Sequence, residues 1–463
     1  MCEHNWYFLV MSLLSCVILC YGSIILVSQG MIEEASKQTV LLNRRILVGI
    51  CGGIASYKAV ELVSRLQQAG ALVDVIMSER AEEFVCPLTF STLSHRPVYS
   101  DLWEPSGRAA ETHIALGEEA EALVIVPATA NTLAKLAHGI ADNMLTAVAL
   151  ATKAPLVLAP AMHYNMYAHP ATQANLALLR KHGAYIIEPE VGRLASGEVG
   201  VGRLPDTNVL LGAVYVVMGR NGDLTGRRVV VTAGGTQEPI DPVRFMGNRS
   251  SGKMGYALAT EARDRGADVT LISGPVALDA PYGVDVWRVE TALQMRDAVF
   301  DAVEEADVLV MSAAVADYRP AVAAAQKLKK EGKGAQELDK EGGFNLRLVR
   351  NPDILGELAA ASKQPEGAQD VKGSPGEKWQ RRLVRVGFAA ETGDLTSYAR
   401  AKLAAKDLDI LVANDVSRSD SGFGAETNKV TIFHAGGAME DLPVMPKTGV
   451  AAAIWDRIVQ LLS

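Results

Sequence analysis

The segment MGNRSSGKMG, residues 246–255, contains residue types that could hold phosphate groups. Gly247, Gly252 and Lys253 fit the G-x-x-x-x-G-K spacing of the phosphate-binding loop of nucleoside triphosphatases. In that loop the next residue is Ser or Thr, because its hydroxyl contacts Mg²⁺, whereas here it is Met254. The spacing therefore indicates phosphate chemistry without the metal contact of such a loop.

The position of this segment also disfavours a nucleoside triphosphatase loop. Such a loop directly follows a strand, but the preceding apolar run ends at Thr236, and nine residues of a different character intervene. Ser250, Ser251 and Gly252 still precede a predicted helix. Because a helix N-terminus presents backbone N–H groups and a positive dipole, we expect an anion-binding turn here.

A second glycine-rich turn, GICGGIASYK, follows the first long apolar run of the chain. Its Gly49, Gly52 and Gly53 do not fit the G-x-G-x-x-G fingerprint of NAD sites. A NAD site also requires an acidic residue at the end of the second strand, where this chain has Ser78. A mononucleotide needs only the phosphate cradle, so the turn favours FMN over NAD.

The two turns belong to segments with the same plan. Residues 44–78 and 227–274 each read as strand, glycine-rich turn, helix, glycine and strand. Each opens with a continuous apolar run, as expected for a parallel strand buried on both faces. The helices are predicted to end at Gly70 and Gly266. The sequence therefore predicts an α/β protein with two doubly wound, Rossmann-like domains.

The predicted boundary between the domains lies in GRNGDLTGRR, residues 219–228, which is rich in turn-forming residues. We predict an N-terminal extension over residues 1–43, a flavodoxin-like domain over 44–219 and a nucleotide-binding domain over 220–463. Further buried strands are predicted at 121–128, 154–162, 307–315, 382–391 and 408–415. The polar segments 329–343 and 362–380 are predicted to be mobile loops.

The composition excludes some classes of function. A formal net charge of −8 disfavours nucleic-acid binding through a basic surface. The five cysteines show no C-x-x-C or similar ligand spacing, so neither a disulfide framework nor a cysteine-based metal site is indicated. This pattern is typical of a reducing cytoplasm.

The uncharged run over residues 6–29 is long enough to span a bilayer. It is preceded by an acidic residue and by no Lys or Arg, which is unlike a signal peptide. Two interpretations remain: a membrane anchor, or a mis-assigned start with Met31 as the first residue of the protein. We favour the second and expect no membrane association.

Three motifs of the first domain carry a family resemblance: GGIASYKAVELVSRL, PATANTLAKLAHGIADNMLT and PAMHYNMY. Together they resemble the flavin-containing cysteine decarboxylases, and in particular the phosphopantothenoylcysteine decarboxylase half of the bifunctional coenzyme A biosynthesis proteins, over residues 44–215. The resemblance implies FMN as cofactor. The residues that it implies for FMN binding are Gly53, Ser56, Ser78, Thr129, Asn131 and Met162.

The same resemblance implies three catalytic positions. His113, in THIALG, matches the family's catalytic histidine, whose neutral imidazole can accept a proton as the substrate thiol is oxidised. His163 stands where the family has Asn, and a ring N–H could replace the amide that holds the substrate carboxylate. Ser196 stands where the family has the proton-donating Cys of a glycine-rich flap, although serine is a far weaker acid.

The segment PAMHYNMYAHP also suggests a soft-metal site. Met162, His163, Met166 and His169 carry sulfur and imidazole ligands. Packing in an apolar loop explains the methionines equally well, and we do not predict a metal there.

The second domain resembles the phosphopantothenate–cysteine ligase half of the same proteins. The segment GGTQEPIDPVRFMGNRSSGKMG is followed, in the family's order, by SAAVADYRP, QKLKK, NPDIL, GFAAET and AKLAAKDLDILVAND, over residues 227–463. The resemblance implies CTP as co-substrate, an acyl-cytidylate intermediate handled by Asn248, and Mg²⁺ held mainly by the CTP phosphates. The implied CTP-binding residues are Ser250, Ser251, Gly252, Asp317, Lys327, Asn351, Pro352, Asp353, Ile354, Phe388, Lys402 and Lys406.

The combined expectation is an enzyme for two consecutive reactions. CTP-dependent ligation joins L-cysteine to 4′-phosphopantothenate, and FMN-dependent decarboxylation of the product gives 4′-phosphopantetheine. The resemblance also implies a homo-oligomer with trimeric decarboxylase and dimeric ligase contacts. Two alternatives remain open: a flavin decarboxylase of another cysteine substrate, and an N-terminal domain that acts as a regulatory binding subunit.

Overall fold

The computed structural model describes residues 40–103, 112–328, 345–362, 383–391, 395–415 and 424–462. The uncharged run 6–29 and most of the two predicted mobile loops lie outside these residues. The chain forms two compact units that divide between Met218 and Gly219. Among the helices of the described ranges, none has the length and apolar character needed to cross a membrane.

The first unit is built on a parallel sheet of six strands in the order β3-β2-β1-β4-β5-β6. A two-stranded antiparallel hairpin, β7–β8, follows it. The strands are β1 (Arg45–Ile50), β2 (Leu72–Met77), β3 (Val98–Tyr99), β4 (Ala122–Ala128), β5 (Leu156–Pro160), β6 (Tyr185–Ile186), β7 (Glu190–Arg193) and β8 (Val199–Arg203).

Among the described residues of this unit, eight helices accompany these strands, with a short 3₁₀ turn at Glu79–Ala81 after β2. The helices are α1 (Ser56–Gln68), α2 (Pro87–Ser94), α3 (Thr112–Glu119), α4 (Ala130–His138), α5 (Met144–Ala151), α6 (Tyr164–Tyr167), α7 (Pro170–Lys181) and α8 (Thr207–Gly219).

The apolar pattern explains why these elements pack as they do. All seven residues of β4 are buried, as the continuous apolar run predicts for a central parallel strand. Helix α1 buries Ala59, Leu62, Val63 and Leu66, whose spacing of three and four residues places them on one face. The doubly wound fold is therefore confirmed. Its strand order is that of dinucleotide-binding folds rather than the 2-1-3-4-5 order of flavodoxin.

The second unit repeats this plan with an eight-stranded sheet in the order β13-β12-β9-β14-β17-β18-β20-β21. The first six are parallel, and the last two add an antiparallel edge. The strands of this unit are β9 (Arg228–Ala233), β10 (Gln237–Pro239), β11 (Phe245–Gly247), β12 (Asp268–Ser273), β13 (Asp285–Arg288), β14 (Val308–Met311), β15 (Tyr318–Pro320), β16 (Leu348–Arg350), β17 (Val384–Glu391), β18 (Ile410–Asp415), β19 (Thr427–Asn428), β20 (Val430–His434), β21 (Met439–Asp441) and β22 (Met445–Pro446).

Three small antiparallel pairs, β10–β11, β15–β16 and β19–β22, lie outside the main sheet. The helices of the second unit are α9 (Lys253–Asp264), α10 (Ala292–Val303), α11 (Ile354–Ala361), α12 (Leu395–Ala405) and α13 (Lys447–Leu462). Helices α9 and α13 pack together, and the buried indole of Trp455 donates to Leu258 O at 2.9 Å. This packing brings the N-terminal ends of two helices from distant parts of the chain into one region.

Candidate active sites

In the first unit, the predicted FMN residues lie at one edge of the sheet. The glycine turn with Gly52 and Gly53 follows β1, Thr129 follows β4, and Met162 follows β5. These are neighbouring parallel strands, so their carboxyl ends share one edge. The strand order reverses direction between β1 and β4, which is where open α/β sheets bind ligands.

The glycine turn fits a phosphate. A Cβ on Gly52 would lie 2.6 Å from Arg80 Cβ, so only glycine allows this close approach of the turn to the segment after β2. Helix α1 begins after Ala55, which makes no side-chain capping hydrogen bond. An anion at this N-terminus could therefore accept from the backbone N–H groups of its first turn.

Ser56 has a different role from the predicted FMN contact. Its side chain is fully buried, and its hydroxyl donates to Cys51 O at 2.9 Å and to Gly53 O at 2.6 Å. The hydroxyl therefore holds the turn closed from within. We revise the prediction accordingly: Ser56 shapes the cradle, and the backbone of the turn is left to contact the ligand.

The other predicted FMN residues surround the turn. Thr129 caps helix α4 by accepting the Thr132 N–H at 3.3 Å, and Asn131 in the first turn of that helix is exposed. The Ser78 N–H donates to Ile50 O at 2.9 Å, which places Ser78 beside the end of β1. The structure thus brings the predicted polar groups to one edge of the sheet.

Cys51, which the sequence analysis did not single out, lies within the glycine turn. It is almost completely buried, and burial raises the pKa of its thiol despite hydrogen bonds with the Thr132 side chain and the Thr129 backbone. The thiol is therefore held neutral and links the turn after β1 to the start of α4. The sequence around Cys51 is apolar and does not predict its hydrogen bonds with Thr129 and Thr132.

His113 is the second residue of α3, the helix that leads into β4. Such a connecting helix runs antiparallel to the strands, so its first turn lies at the carboxyl edge of the sheet. The body of α3 is fixed because Thr152 Oγ1 donates to Gly117 O at 2.7 Å. His113 is half-buried and belongs to that first turn, and residues 104–111 before it are outside the described ranges.

The structure brings His163 and Ser196 together through a residue that the sequence analysis missed. His163 Nε2 lies 2.8 Å from Glu198 Oε2, and Ser196 Oγ donates to the same oxygen at 3.3 Å. Glu198 belongs to the tip between β7 and β8, the predicted flap. Nothing in the spacing of the motifs predicted this contact, because it depends on how the hairpin folds back onto the loop after β5.

The flap is anchored at its base. The Met162 N–H donates to Gly202 O at 3.0 Å, and a Cβ on Gly202 would lie 2.1 Å from Met162 O. The backbone of Gly202 also has φ +146°, which L side chains rarely adopt. Glycine is therefore required where β8 passes over the loop after β5.

A cavity of about 400 Å³ in the first unit lies elsewhere, against α4, α5 and α7. It contains none of the residues predicted to bind FMN or to act in catalysis. We assign no role in the decarboxylase site to it.

In the second unit a cavity of about 1070 Å³ opens at the carboxyl edge of the sheet. It gathers all the predicted ligase residues except Lys327, from motifs spread over more than 150 positions of the chain. Those residues are Asn248, Ser250, Ser251, Gly252, Asp317, Asn351, Pro352, Asp353, Ile354, Phe388, Lys402 and Lys406.

The cavity forms where the loops after β9 and β14 are joined. The Ala314 N–H donates to Gly234 O at 2.8 Å, and the Ala316 N–H donates to Thr236 Oγ1 at 2.9 Å. A Cβ on Gly235 would lie 2.8 Å from Asn248 O, so the glycine allows the 248–252 loop to cross here. As in the first unit, the site occupies the point where the strand order reverses.

Helix α9 begins at Lys253, and its N-cap is Gly252, with φ +77° and no side-chain cap. The preceding residues Phe245–Gly247 form the short strand β11, which pairs with β10 outside the main sheet. The segment is thus a hairpin followed by a helix N-terminus. This arrangement differs from a nucleoside triphosphatase loop and retains the uncapped N–H groups that can bind an anion.

Asn248 already uses its amide donors within the protein. Its Nδ2 donates to Ala314 O at 3.1 Å and to Val315 O at 3.2 Å. The family resemblance implies that Asn248 handles the acyl-cytidylate, and an amide can do so either through its N–H groups or through its carbonyl oxygen. In this arrangement the N–H groups tie the 248–252 loop to the loop after β14, and the amide carbonyl oxygen is the group left to act on a substrate.

Asn351 and Asp353 organise the opposite wall. Asn351 Nδ2 donates to Ala316 O at 2.8 Å, and Asp353 Oδ1 accepts the Gly356 N–H at 3.1 Å as the N-cap of α11. Lys406 Nζ also lies 2.9 Å from Asp353 Oδ1. Lys402 and Lys406, four residues apart, both line the cavity.

Two lysines that line the cavity, Lys253 and Lys447, are not among the CTP-binding residues implied by the family resemblance. Lys253 Nζ donates to Glu426 Oε1 at 2.6 Å and to Gly424 O at 3.2 Å. Lys447, the first residue of α13, is nearly buried and donates to Ala425 O. Burial, reinforced by the charge of Lys253, lowers the pKa of Lys447. Pro446 directly before Lys447 is a sequence signal for the start of a helix, and this signal could have drawn attention to Lys447.

Lys327 lies outside this cavity. It is exposed in a segment whose next residue, Leu328, donates its N–H to Asp241 Oδ2 at 3.1 Å and accepts from Arg244 Nη2 at 3.0 Å. The residues that follow, 329–344, are not described. The predicted contact between Lys327 and CTP is therefore not supported by this arrangement.

No cluster of three or more His, Cys, Asp or Glu side chains suited to a metal ion occurs within the described ranges. The soft-metal alternative at Met162, His163, Met166 and His169 gains no support from the contacts, since His163 and His169 each use Nδ1 to cap a helix.

Comparisons with known proteins cover both units. Residues 34–218 match the family model described as flavoprotein, and residues 224–462 match the model of the DNA/pantothenate metabolism flavoprotein C-terminal domain. The chain is 46% identical over 425 residues to the coenzyme A biosynthesis bifunctional protein CoaBC of Bacillus subtilis, covering 91% of this chain and 98% of that protein. It is 43% identical over 431 residues to the protein of the same name from Mycobacterium bovis, with 91% and 98% covered.

Among solved structures, the C-terminal domain of a coenzyme A biosynthesis bifunctional protein CoaBC is 36% identical, with a TM-score of 0.40, and covers 52% of this chain and 98% of its own. The full-length relatives span both units with nearly their whole sequence. This chain therefore belongs to the family of bifunctional coenzyme A biosynthesis proteins, enzymes with a flavoprotein decarboxylase half and a ligase half.

Proposed function

We propose that this chain joins L-cysteine to 4′-phosphopantothenate with CTP in its second unit and decarboxylates the product with FMN in its first unit. The observation that carries the proposal is the cavity of the second unit, which collects residues from five separated sequence motifs. The products are 4′-phosphopantetheine, CO₂, CMP and pyrophosphate. The rival interpretations, another cysteine substrate or a regulatory first unit, predict no such coupled sequence.

The ligase cavity suits a triphosphate because its wall combines cations with an uncapped helix N-terminus. Lys402 and Lys406 line one side, and the start of α9 lines another. The phosphopantothenate carboxylate attacks the α-phosphorus of CTP, and the bond from that phosphorus to the leaving pyrophosphate breaks. The lysines and the helix N-terminus stabilise the negative charge that moves onto the leaving phosphates.

The second half-reaction forms the amide. The cysteine nitrogen attacks the acyl carbon, and the bond from that carbon to the CMP oxygen breaks. Because both Asn248 N–H groups bind backbone carbonyls, its Oδ1 accepts an N–H of the attacking amine and holds it beside the acyl carbon. Asn248 thus acts as an acceptor in this proposal rather than as an oxyanion donor.

Mg²⁺ accompanies CTP as the counter-ion of its phosphates. The described walls of the cavity hold few carboxylates, of which Asp317 and Asp353 are two. Asp353 is paired with Lys406. We therefore assign the ion mainly to phosphate oxygens and water.

In the first unit, the glycine turn after β1 and Thr129 would hold FMN, whose chemistry when bound would be a two-electron oxidation of the cysteinyl thiol and the matching reduction after loss of CO₂. His113 accepts the thiol proton. His163 donates its Nε2–H to the substrate carboxylate and so fixes the bond that breaks. Ser196 orients a water that delivers the final proton, because its own hydroxyl is too weak an acid to replace a thiol.

The proposed setting is the cytoplasm, where the cysteines stay reduced. The chain is proposed to assemble as a homo-oligomer through trimeric contacts of the first unit and dimeric contacts of the second. Analytical ultracentrifugation of the full chain tests this assembly. A monomer at micromolar concentration would contradict it.

Two measurements on the purified full chain test the activities separately. We expect a yellow protein with a flavin absorbance spectrum, and pyrophosphate release that requires both CTP and phosphopantothenate. Pyrophosphate release that is independent of phosphopantothenate would remove the ligase assignment. A colourless protein that takes up no added FMN would favour a regulatory first unit.

A further inference from the structure

His163 has a single hydrogen to offer a ligand when its ring is neutral. Its Nδ1 accepts the Asn165 N–H at 3.3 Å as the N-cap of α6. A ring nitrogen that accepts a hydrogen bond carries no proton, so the proton of the neutral ring is on Nε2. The local turn thereby selects the tautomer and directs Nε2–H away from the helix.

That hydrogen is already donated to the flap. Glu198 Oε2 accepts it at 2.8 Å, and the same oxygen accepts from Ser196 Oγ at 3.3 Å. The hydrogen bond from His163 is the largest cause that holds the pKa of the Glu198 carboxyl below its usual range. A carboxylate of the protein therefore occupies the donor that the proposed mechanism assigns to the carboxylate of the substrate.

The hairpin β7–β8 has a fixed base and a tip held by this bond. At the base, Lys58 Nζ donates to Leu204 O at 2.9 Å, and Gly202 is bound to Met162. At the tip, the Leu194 N–H donates to Glu198 O at 2.8 Å, and Gly197 has φ +90° with no atom within 4 Å of where a Cβ would lie. The tip is thus a compact turn that can move as a unit.

The bond between tip and body is suited to exchange. The side chains of His163 and Glu198 are 29% and 54% exposed. Solvent-exposed pairs of this kind contribute at most about 1 kcal/mol to stability. A second carboxylate can therefore replace Glu198 at little cost, whereas both carboxylates cannot share one N–H without repulsion.

We propose that Glu198 occupies the substrate-carboxylate position on His163 in the resting enzyme, and that the substrate displaces it, so that the flap tip distinguishes substrate from product. This inference rests on the proposed decarboxylation. It assigns to Glu198 a specificity-determining role. Phosphopantothenoylcysteine carries the carboxylate that can replace Glu198 on His163, whereas phosphopantetheine has no carboxylate.

Decarboxylation removes the substrate carboxylate, which is the group that keeps Glu198 of the flap tip away from His163. When the bond between the α-carbon and the carboxylate breaks, the electron pair stays on the carbon and the carboxylate leaves as neutral CO₂. His163 Nε2–H then has no anionic partner from the ligand. Glu198 returns to it, which restores the resting contact without competing with the product, since phosphopantetheine has no carboxylate for His163 to bind.

The test uses the full chain loaded with FMN, supplied directly with phosphopantothenoylcysteine. We compare wild type with Glu198→Gln, Glu198→Ala and the control Glu190→Gln, a glutamate at the start of β7 on the same hairpin. Removing the competing charge is expected to lower the substrate KM roughly three- to fivefold, the range that a weak exposed pair allows. The inhibition constant of phosphopantetheine is expected to stay unchanged, as are all constants of Glu190→Gln. Retention of bound flavin verifies that each variant is folded.

The outcomes distinguish a failure of the Glu198 displacement model from a failure of its premise, which is that His163 binds the substrate carboxylate. His163→Ala is expected to raise the substrate KM, and an unchanged KM would show that His163 does not bind the carboxylate. If that variant behaves as expected but both Glu198 variants leave the KM unchanged or raise it, the displacement model is overturned. A fall in kcat at unchanged KM in the Glu198 variants would also overturn it, because it would make Glu198 a positioning residue for the chemistry.

Discussion

Lys406 Nζ and the Gly356 N–H both bind one carboxylate oxygen, Asp353 Oδ1, at 2.9 and 3.1 Å. Asp353 therefore couples the N-terminus of α11 to a lysine just beyond the end of α12. Lys406 and Asp353 both line the ligase cavity, so in the proposed reaction this ion pair would hold a cation in place for CTP before the nucleotide binds. Such preorganisation reduces the side-chain entropy lost on binding.

Replacing Lys406 is expected to weaken CTP binding. Lys406→Gln removes a cation whose charge-assisted hydrogen bond to a phosphate contributes about 1.5–3 kcal/mol, so we expect the KM for CTP to rise roughly ten- to hundredfold. Steady-state pyrophosphate release measures it. Lys429→Gln, a lysine of the same unit that does not line the cavity, is the control. Equal constants for the two variants would contradict the assignment of Lys406.

Asn248→Asp tests the second half-reaction. The substitution places a carboxylate oxygen against the carbonyls of Ala314 and Val315, where the wild-type amide donates two hydrogen bonds. We expect pyrophosphate to be released in an amount close to that of the enzyme, with CMP and the cysteine adduct appearing slowly or not at all. Rapid-quench analysis measures the three products. Asn221→Asp, at an exposed position near the start of the second unit, is the control. Normal product formation by Asn248→Asp would refute the role of Asn248.

Gly252→Ala is expected to damage both folding and CTP binding. The residue has φ +77°, and its Cβ would lie 2.7 Å from Val276 Cγ1. Gly226→Ala is a matched control because its φ is +76° with no atom within 4 Å of the added methyl. A non-glycine residue in this region costs about 1–2 kcal/mol, which both variants share. Chemical denaturation should show a larger loss for Gly252→Ala, and equal losses would mean that Val276 simply moves aside.

Glu261 gives the second unit a pH-dependent stability. Burial raises its pKa to about 7 from the ordinary 4.5, although Arg265 lies at 3.0 Å and opposes the shift. The folded protein thus holds this proton more tightly than the unfolded chain. Its stabilising contribution is complete below pH 4.5 and is lost as pH rises through 7, by an amount on the order of 3 kcal/mol.

Glu261→Gln should reduce the dependence of the free energy of unfolding on pH between pH 5 and 7.5. The free energy of unfolding of wild type is expected to fall between pH 5 and 7.5, and that of the variant to fall less over the same range. Glu305→Gln, an exposed glutamate paired with Arg228, should follow wild type. Denaturant titrations at several pH values measure the difference. Parallel curves for wild type and Glu261→Gln would show that Glu261 ionises normally.

The sequence predicted the fold well because its signals are local. Continuous apolar runs, glycine turns and helix-ending glycines define each strand–helix–strand unit. The family resemblance implied that distant motifs share one binding site, and in the structure they line one cavity. The order of strands within the sheets was not determined by these signals. Nor was the role of Ser56, whose hydroxyl is directed into the turn by a backbone path that the residue types leave open.

The missed residues share a physical reason. Glu198 reaches His163 only because a hairpin folds back over the loop after β5, and Lys447 reaches the ligase cavity only because α13 packs against α9. Contacts across such sequence distances are set by tertiary packing. Asn248 lines the ligase cavity, and the direction of its hydrogen bonds is set by the loop after β14, which its residue type does not reveal.

The most direct measurement of the whole account is release of CO₂ from carboxyl-labelled cysteine by the full chain with FMN. We expect labelled CO₂ and phosphopantetheine only when phosphopantothenate and CTP are both present, with one CMP and one pyrophosphate formed for each CO₂. Labelled CO₂ in the absence of CTP, or CMP formation without any CO₂, would contradict the proposal that the two units catalyse consecutive steps.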